Sequence, residues 1–298
     1  MNARRWVRRS LRHLSDDLAK QDHQACPNTV SRLLRDQKIT PKANRKDETG
    51  PSHPDRNLQF QHIQQQREEF AGAGLPAISI DGKKKELVGN FKNPGAAWCE
   101  KAESVNTYDF LHDAKCRATP YGVYDLKRNR GMVAVGTSAD TGQFAADCVE
   151  HWWQHEGRQA YCGAKKLLIL ADGGGRNGHR PRLFKSSLQQ FSNRSGLALT
   201  VCHYPTGASK WNPIEHRLFS QISINWAAQP LRTLFLMLAC IRGVTTRTGL
   251  RVRAWLNTKV YAKKLKVTNA EMKALNLERL PICPKWSYII RPQLHSGP

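Results

Sequence analysis

Leu167 to Ala171 is an unbroken apolar run that ends in Asp172 and three glycines. A short stretch with no polar alternation, closed by a turn signal, reads as a strand covered on both faces. Such a strand demands helices on either side of its sheet, and the neighbouring sequence supplies them. Phe144, Cys148, Val149 and Trp152 recur at helical spacing within 144–156, and 181–194 reads as a second helix. Leu197 to His203 then predicts another strand and 213–226 a third helix. Upstream, Ala77 to Ile80 is a β-branched run ending in Asp81-Gly82, with further strands expected at 86–91 and 132–135. Three strands followed by alternating helix and strand predict an α/β fold, a mixed sheet with helices on both faces.

The 298 residues carry 47 Lys and Arg against 24 Asp and Glu, a formal charge of +23. So one-sided a balance disfavours an enzyme of small neutral metabolites and points to a polyanion as partner. The excess is uneven. Residues 216–298 hold 14 basic side chains and only Glu271 and Glu278 as acids. Arg247, Arg251, Arg253, Lys259, Lys263, Lys264 and Lys266 crowd one stretch of it. A solvated charged face normally mixes signs, so this region is expected to bind phosphate backbone. The longest apolar run, Leu234 to Ile241, is eight residues closed by arginines, far short of the roughly 20 that cross a bilayer. With no apolar stretch among its first residues, the chain is expected to act in the cytoplasm, on the nucleoid. Its eight cysteines form no C-x-x-C pair and are expected to be reduced and mostly buried.

Val7, Leu11, Leu14 and Leu18 predict an amphipathic helix over 5–20. Asn28 is the expected cap of a second helix, whose Val30, Leu33 and Leu34 turn inward and whose Arg32 and Arg35 turn outward. Two short basic helices joined by a tight turn suit a helix-turn-helix DNA-binding segment at 1–40, and they equally suit a plain helical hairpin. The Pro-, Gly- and Lys-rich stretch that follows predicts a linker at 41–70, ahead of a main domain at 71–298.

Three carboxylates stand in telling places. Asp81 and Asp172 end strands, and Glu215 lies near the start of a helix in SKWNPIEHRLF. Each has an ordinary explanation: a hairpin turn for Asp81-Gly82, a turn residue for Asp172, and a capping box for Asn212 with Glu215. Together they mean more, because open sheets gather their chemistry at the carboxyl ends of strands. Glu215, Leu218, Phe219 and Ile222 share one helix face, so the glutamate is aimed at the sheet. Gly173 through Ile214 contains no Asp or Glu, which makes Glu215 the first downstream partner for Asp172. Three such carboxylates would repel by about 4 kcal/mol per pair at about 4 Å and an effective dielectric of about 20. A pair of hard divalent ions, Mg²⁺ or Mn²⁺, would relieve that repulsion and suits in-line phosphoryl displacement.

Other patterns compete. Gly173, Gly175 and Gly178 satisfy the dinucleotide-binding G-x-G-x-x-G, but the acid required about 20 residues later is missing. No nucleotide cofactor is therefore expected, and the glycines are read as letting backbone approach a phosphate. His151 and His155 have metal-ligand spacing, but flank Trp152 and Trp153 and are read as packing. Lys210-Trp211 reads equally as a DNA contact and as a core tryptophan.

The segments SIDGKKKELVGNFKN, YGVYDL, LLILADGGGRNG and SKWNPIEHRLFS, then TRTGL, resemble the DDE transposases of bacterial insertion sequences, in particular the Azo-thirteen insertion-sequence family. The likeness runs from TVSRLL and SHPDRNLQFQHI to WSYII. It implies a ribonuclease-H-like core with Asp81, Asp172 and Glu215 as the acidic triad. It also implies hydrolysis at a transposon end followed by strand transfer into double-stranded target DNA, carried out by a dimer on DNA. Lys83, Lys84, Lys85 and Lys210 are the expected phosphate contacts near the triad, with Arg32 and Arg35 in the N-terminal segment. Such proteins usually carry a longer N-terminal DNA-binding region, of which this chain starts at what looks like the last part. Gly82 stands where a side-chain-bearing residue such as Thr would steady the turn after Asp81. A shortened remnant that binds transposon ends without cutting, and a structure-selective nuclease of the same fold, are the alternatives the sequence leaves open.

Overall fold

The computed structural model describes residues 9–42 and 53–293. The chain divides into two compact units, Met1–Pro51 and Ser52–Pro298.

In the first unit α1 (Leu11–Ala19) opens on Ser10, whose hydroxyl accepts from the His13 amide, and α2 (Pro27–Asp36) follows. The expected start of α1 before residue 9 lies outside the described residues. The second helix starts earlier than expected, with Cys26 in the cap position and Pro27 in the first turn, where its missing N–H and fixed φ are tolerated. Val30 is buried, Leu34 is half-buried and Leu33 is exposed, so the inward stripe is narrower than its spacing suggested. Arg32 and Arg35 face solvent.

The second unit begins with α3 (Arg56–Gly72). This corrects the expected linker at 41–70: residues 43–52 lie outside the described residues, but from Arg56 the chain is helical and packs on the sheet. The helix was hidden because two of its buried side chains are polar. Gln59 donates to the His203 carbonyl at 3.3 Å, and His62 lies 3.9 Å from the Cys202 sulfur. Ile63 and Phe70 supply the apolar contact.

The remaining elements are β1 (Ala77–Gly82), β2 (Glu86–Val88), β3 (Cys116–Asp125), β4 (Arg130–Gly136), α4 (Gly142–Trp152), α5 (Arg158–Ala160), β5 (Lys166–Asp172), α6 (Arg182–Ser195), β6 (Ala198–Tyr204), α7 (Ser220–Asn225), α8 (Leu234–Arg242), β7 (Arg251–Asn257), α9 (Asn269–Lys273), β8 (Leu277–Arg279) and β9 (Ser287–Ile290). The sheet order is β7-β4-β3-β1-β5-β6-β9-β8, with β2 paired to β3. β3 is antiparallel to β1 and β4, while β5 is parallel to β1 and β6. An antiparallel three-strand meander continued by two parallel strands is the ribonuclease-H-like arrangement, here widened by β7 at one edge and by β9 and β8 at the other.

Helices cover both faces, as the central apolar strand requires. Phe144, Cys148 and Trp152 of α4 and Phe184, Leu188 and Phe191 of α6 pack on Ile78, Ile80, Leu167 and Ile169. On the opposite face Ile63 and Phe70 of α3 meet Ala77, Leu168, Leu170 and Tyr204. Beside them Ile214, Leu218, Phe219 and Ile222, with α8, cover Val133 and Val135 of β4. No helix among the described residues is long and apolar enough to cross a membrane. All eight cysteines are free thiols, but only Cys148, Cys202 and Cys283 are buried, fewer than expected.

Candidate active site

Alternation along two neighbouring strands brings the first two acids together. Ile78 and Ile80 point to the α4 and α6 face, so Ser79 and Asp81 point to the other. Leu168 and Leu170 lie on that second face, and Asp172 follows them. β1 and β5 run parallel with Ile80 opposite Ala171, which sets Asp81 and Asp172 side by side at the carboxyl edge of the sheet. Glu215 arrives from a helix that begins at Pro213 and passes through a π-helical stretch, Glu215–Phe219. Such stretches displace side chains from regular helical positions and recur at functional sites. The helix sits close because Gly122, opposite Asp81 on β3, has no side chain. A β-carbon there would lie 2.8 Å from Ile214 Cδ1 and Phe219 Cε1.

The three carboxyl groups share one electrostatic environment. Burial pushes the Asp81 carboxyl up to about 8, the Asp172 and Glu215 charges add to the rise, and the Gly82 amide and Arg176 oppose it. Gly82 N donates to Asp81 Oδ1 at 2.7 Å. Burial also raises Asp172, against the hydrogen bond from Asn212. Glu215 is raised by burial and then by Asp172, and is lowered by a hydrogen bond with Asp81 and by Lys83. Among the described residues no set of three His, Cys, Asp or Glu side chains is already closed around one ion-sized point. The donors are nonetheless all hard oxygens on one face; burial raises all three, like charge adds to the rise at Asp81 and Glu215, and a divalent cation would offset both. The set therefore fits such an ion.

Asn212 is a supporting residue missed in the sequence, where it reads as a helix cap. Its Nδ2 donates to Asp172 Oδ1 at 3.0 Å, and its Oδ1 accepts from the Ser79 hydroxyl. Ser79 Oγ in turn accepts from Ile214 N at 3.2 Å. This buried chain ties β1, β5 and the Glu215 helix into one frame, and it replaces the capping box. The second missed feature is Arg176, which pairs with Asp140 and lies 6.0 Å from the Tyr121 ring centre. A side chain at Gly82 would run into its guanidinium, with a β-carbon 2.9 Å from Cζ. Gly82 is thus the residue that lets Arg176 lie across the end of β1, not a weak point in the turn. The glycines after Asp172 also have an internal explanation. β-Carbons at Gly173 and Gly178 would meet the Tyr204 and Gly173 carbonyl oxygens at 2.7 and 2.8 Å, and Gly175 has φ +72°. They let the loop fold closely on itself.

Over residues 1–292 the sequence matches the family described as Rhodopirellula transposase DDE domain. The chain belongs to that family. No curated protein matches it. Solved structures similar to this transposase-family chain include a Mos1 transposase paired-end complex with left transposon end, at 12% identity, covering 79% of this chain and 70% of that one, with a TM-score of 0.47. Two further Mos1 paired-end complexes, one with Mn and one with Mg, match at 12% and 11% identity over 79% of this chain and 70% and 71% of theirs, both with TM-scores of 0.43.

The lysines expected to touch phosphate in this transposase-family chain part company. Lys83 is engaged inside the protein, 3.6 Å from Glu86 and 5.1 Å from the Trp226 ring centre, because its backbone continues β1 toward β2. Lys84 is exposed. Lys85 is also exposed and lines a cavity of about 730 Å³ with Arg117, Asp140, Lys263 and Lys264. Lys210 is exposed, with its ammonium 5.5 Å from the Trp211 ring centre. Trp211 is 57% exposed and is no core tryptophan. His151 stacks at 3.9 Å on both His155 and Trp255, and burial pushes it down to about 4. That is the packing role its sequence context suggested.

Proposed function

We propose that this chain is a metal-dependent DNA transposase that cuts a phosphodiester at a transposon end and joins the freed 3′-hydroxyl to target DNA. The observation that carries the reading is the convergence of Asp81, Asp172 and Glu215 from β1, β5 and the following helix in a protein of net charge +23. Asp81 and Asp172 would share a pair of Mg²⁺ or Mn²⁺ ions, with Glu215 holding one of them. When bound, such ions stabilise the attacking and leaving oxygens of an in-line displacement. Asn212 orients Asp172 through its amide, and Glu215 would help orient the attacking water. Arg176, held by Asp140, gives the site a fixed positive charge. Lys84 and Lys85 would contact flanking phosphates, and Arg32 and Arg35 a DNA groove from a helix-turn-helix-like N-terminal unit. Holding two ends for joining calls for a dimer on DNA.

The test is cleavage of end-bearing DNA with and without Mg²⁺, followed by product analysis. Asp172→Asn is expected to lose at least about 10³-fold in cutting, while DNA affinity stays similar or rises because one repelling charge is gone. A variant that cuts at the parent rate refutes the triad. Joined products separate a transposase from a nuclease that stops at hydrolysis. Binding without any metal-dependent product identifies a non-cleaving repressor.

A further inference from the structure

Next to the register partner of Asp172 lies an opening lined by aromatic side chains. Phe60, Ile63, Gln64 and Arg67 of α3, with Tyr204 and Trp211, line a pocket of about 360 Å³. Tyr204 is the register partner of Asp172 on β6. Trp211 stands four residues before Glu215. The pocket therefore adjoins Asp172 through the neighbouring strand and Glu215 through the segment that leads into its helix. Its walls are aromatic: Phe60 lies 5.9 Å from Trp211 in an edge arrangement and 6.3 Å from Tyr204. Its rim is cationic, with Arg67 in the lining and Lys210 over the Trp211 ring.

We infer that this pocket stacks an unpaired nucleobase of the DNA strand whose neighbouring phosphate lies at the carboxylates. Three features favour a base over another apolar occupant. An aromatic face left open to solvent costs burial that the fold does not use, and Trp211 is more than half exposed. Stacking on aromatic side chains suits every base whatever the sequence, because each has a π-face. The basic rim suits a ligand that brings its own phosphates, and a purely apolar peptide would leave Arg67 and Lys210 unmatched. A base inside a duplex cannot reach such a wall, so the occupant is one that has left its pair, as at a frayed or cut end. The inference rests on the DNA reading above and adds a recognition element to it.

Full-length protein without divalent metal is titrated into two fluorescent DNAs. One is a blunt duplex, and the other is the same duplex with a short 3′ single-stranded extension carrying 2-aminopurine. The parent is expected to prefer the extended DNA and to quench the 2-aminopurine by stacking. Trp211→Ala is expected to lose on the order of tenfold in affinity for the extended DNA only, and Trp211→Phe to keep most of it. Equal binding of both DNAs by the parent, or an unchanged preference and quench in Trp211→Ala, overturns the pocket's role. Either result leaves duplex binding and metal-dependent cutting intact, so the transposase reading survives it. Failure of the parent to bind either DNA overturns that reading and the pocket with it.

Discussion

At the residue scale, Asp81 is the site carboxyl whose charge its surroundings oppose most. Its carboxyl is pushed up to about 8 by burial and by Asp172 and Glu215, against an ordinary value of 3.8. Over the window from about pH 4 to 8 the folded protein therefore keeps a proton that the unfolded chain has released. The stabilisation is full below about pH 4 and fades as pH rises toward 8. Asp81→Asn should raise the melting temperature of metal-free protein at pH 7 by several degrees, a benefit that shrinks toward pH 4. Mg²⁺ should raise the melting temperature of the parent and barely move the variant. Equal metal responses in the two proteins would show that Asp81 holds no ion. Gly82 offers a second residue-scale test. A methyl at Gly82 meets only the far end of Arg176, so Gly82→Ala should cost less than about 1 kcal/mol, as for a surface change, while pushing Arg176 away from Asp140. Its effect on cutting should disappear in an Arg176→Ala background, a coupling that a double-mutant cycle reads directly.

At the element scale, the Glu215 helix is positioned by what β3 lacks. Gly122→Val would drive a branched side chain into Ile214 and Phe219. Overpacking of this kind costs about 1–3 kcal/mol. Because the displaced helix carries Glu215, cutting should fall further than the melting temperature alone would explain. Gly131→Ala, which crowds only Leu218 farther along the same helix, serves as the comparison with a smaller loss of cutting. Legibility in the sequence follows the same logic of faces. The central strand was readable because burial on both sides removes polar alternation, and Asp172 was readable because it ends that strand. β3 is absent from the sequence reading, since Pro120 and Gly122 interrupt an otherwise good strand pattern. α3 was obscured by its buried Gln59 and His62, whose partners are far away in sequence. Asn212 looked like a cap because its true partners, Asp172 and Ser79, lie 40 and 133 residues away. Sequence spacing reports local geometry, and these contacts are made by the topology of the sheet.

At the scale of the whole molecule, the excess charge is distributed along the sheet rather than gathered at the carboxylates. β4 and β7 run parallel at one side of the sheet and place Arg130 directly beside Arg251. With Arg128 and Arg253 these line a pocket of about 240 Å³. Glu156 lies 3.7 Å from Arg128 and 3.4 Å from Arg253, while Arg130 and Arg251 form no ion pair among the described residues. Two adjacent guanidinium groups repel, and the single Glu156 carboxylate offsets only part of the charge of four arginines, so a further anion would favour the arrangement. The pocket is at the amino end of β4 and β7, whereas Asp81 and Asp172 are at the carboxyl ends of β1 and β5, strands of the same sense. A seven-residue strand at about 3.3 Å per residue separates the two ends by about 20 Å, roughly six base pairs of duplex. On the proposed DNA reading, this pocket grips backbone away from the scissile phosphate. Arg251→Ala with Arg253→Ala should then weaken duplex binding and reduce the slope of log affinity against log salt by about 1 to 2, near 0.9 for each phosphate no longer neutralised. Cutting at saturating DNA should stay at the parent rate, because no group at the carboxylates has changed. An unchanged salt slope would mean that this arginine pair meets no phosphate and that the polyanion is held elsewhere, leaving Lys85, Arg117, Lys263 and Lys264 at the opposite end of the strands as the next cluster to neutralise.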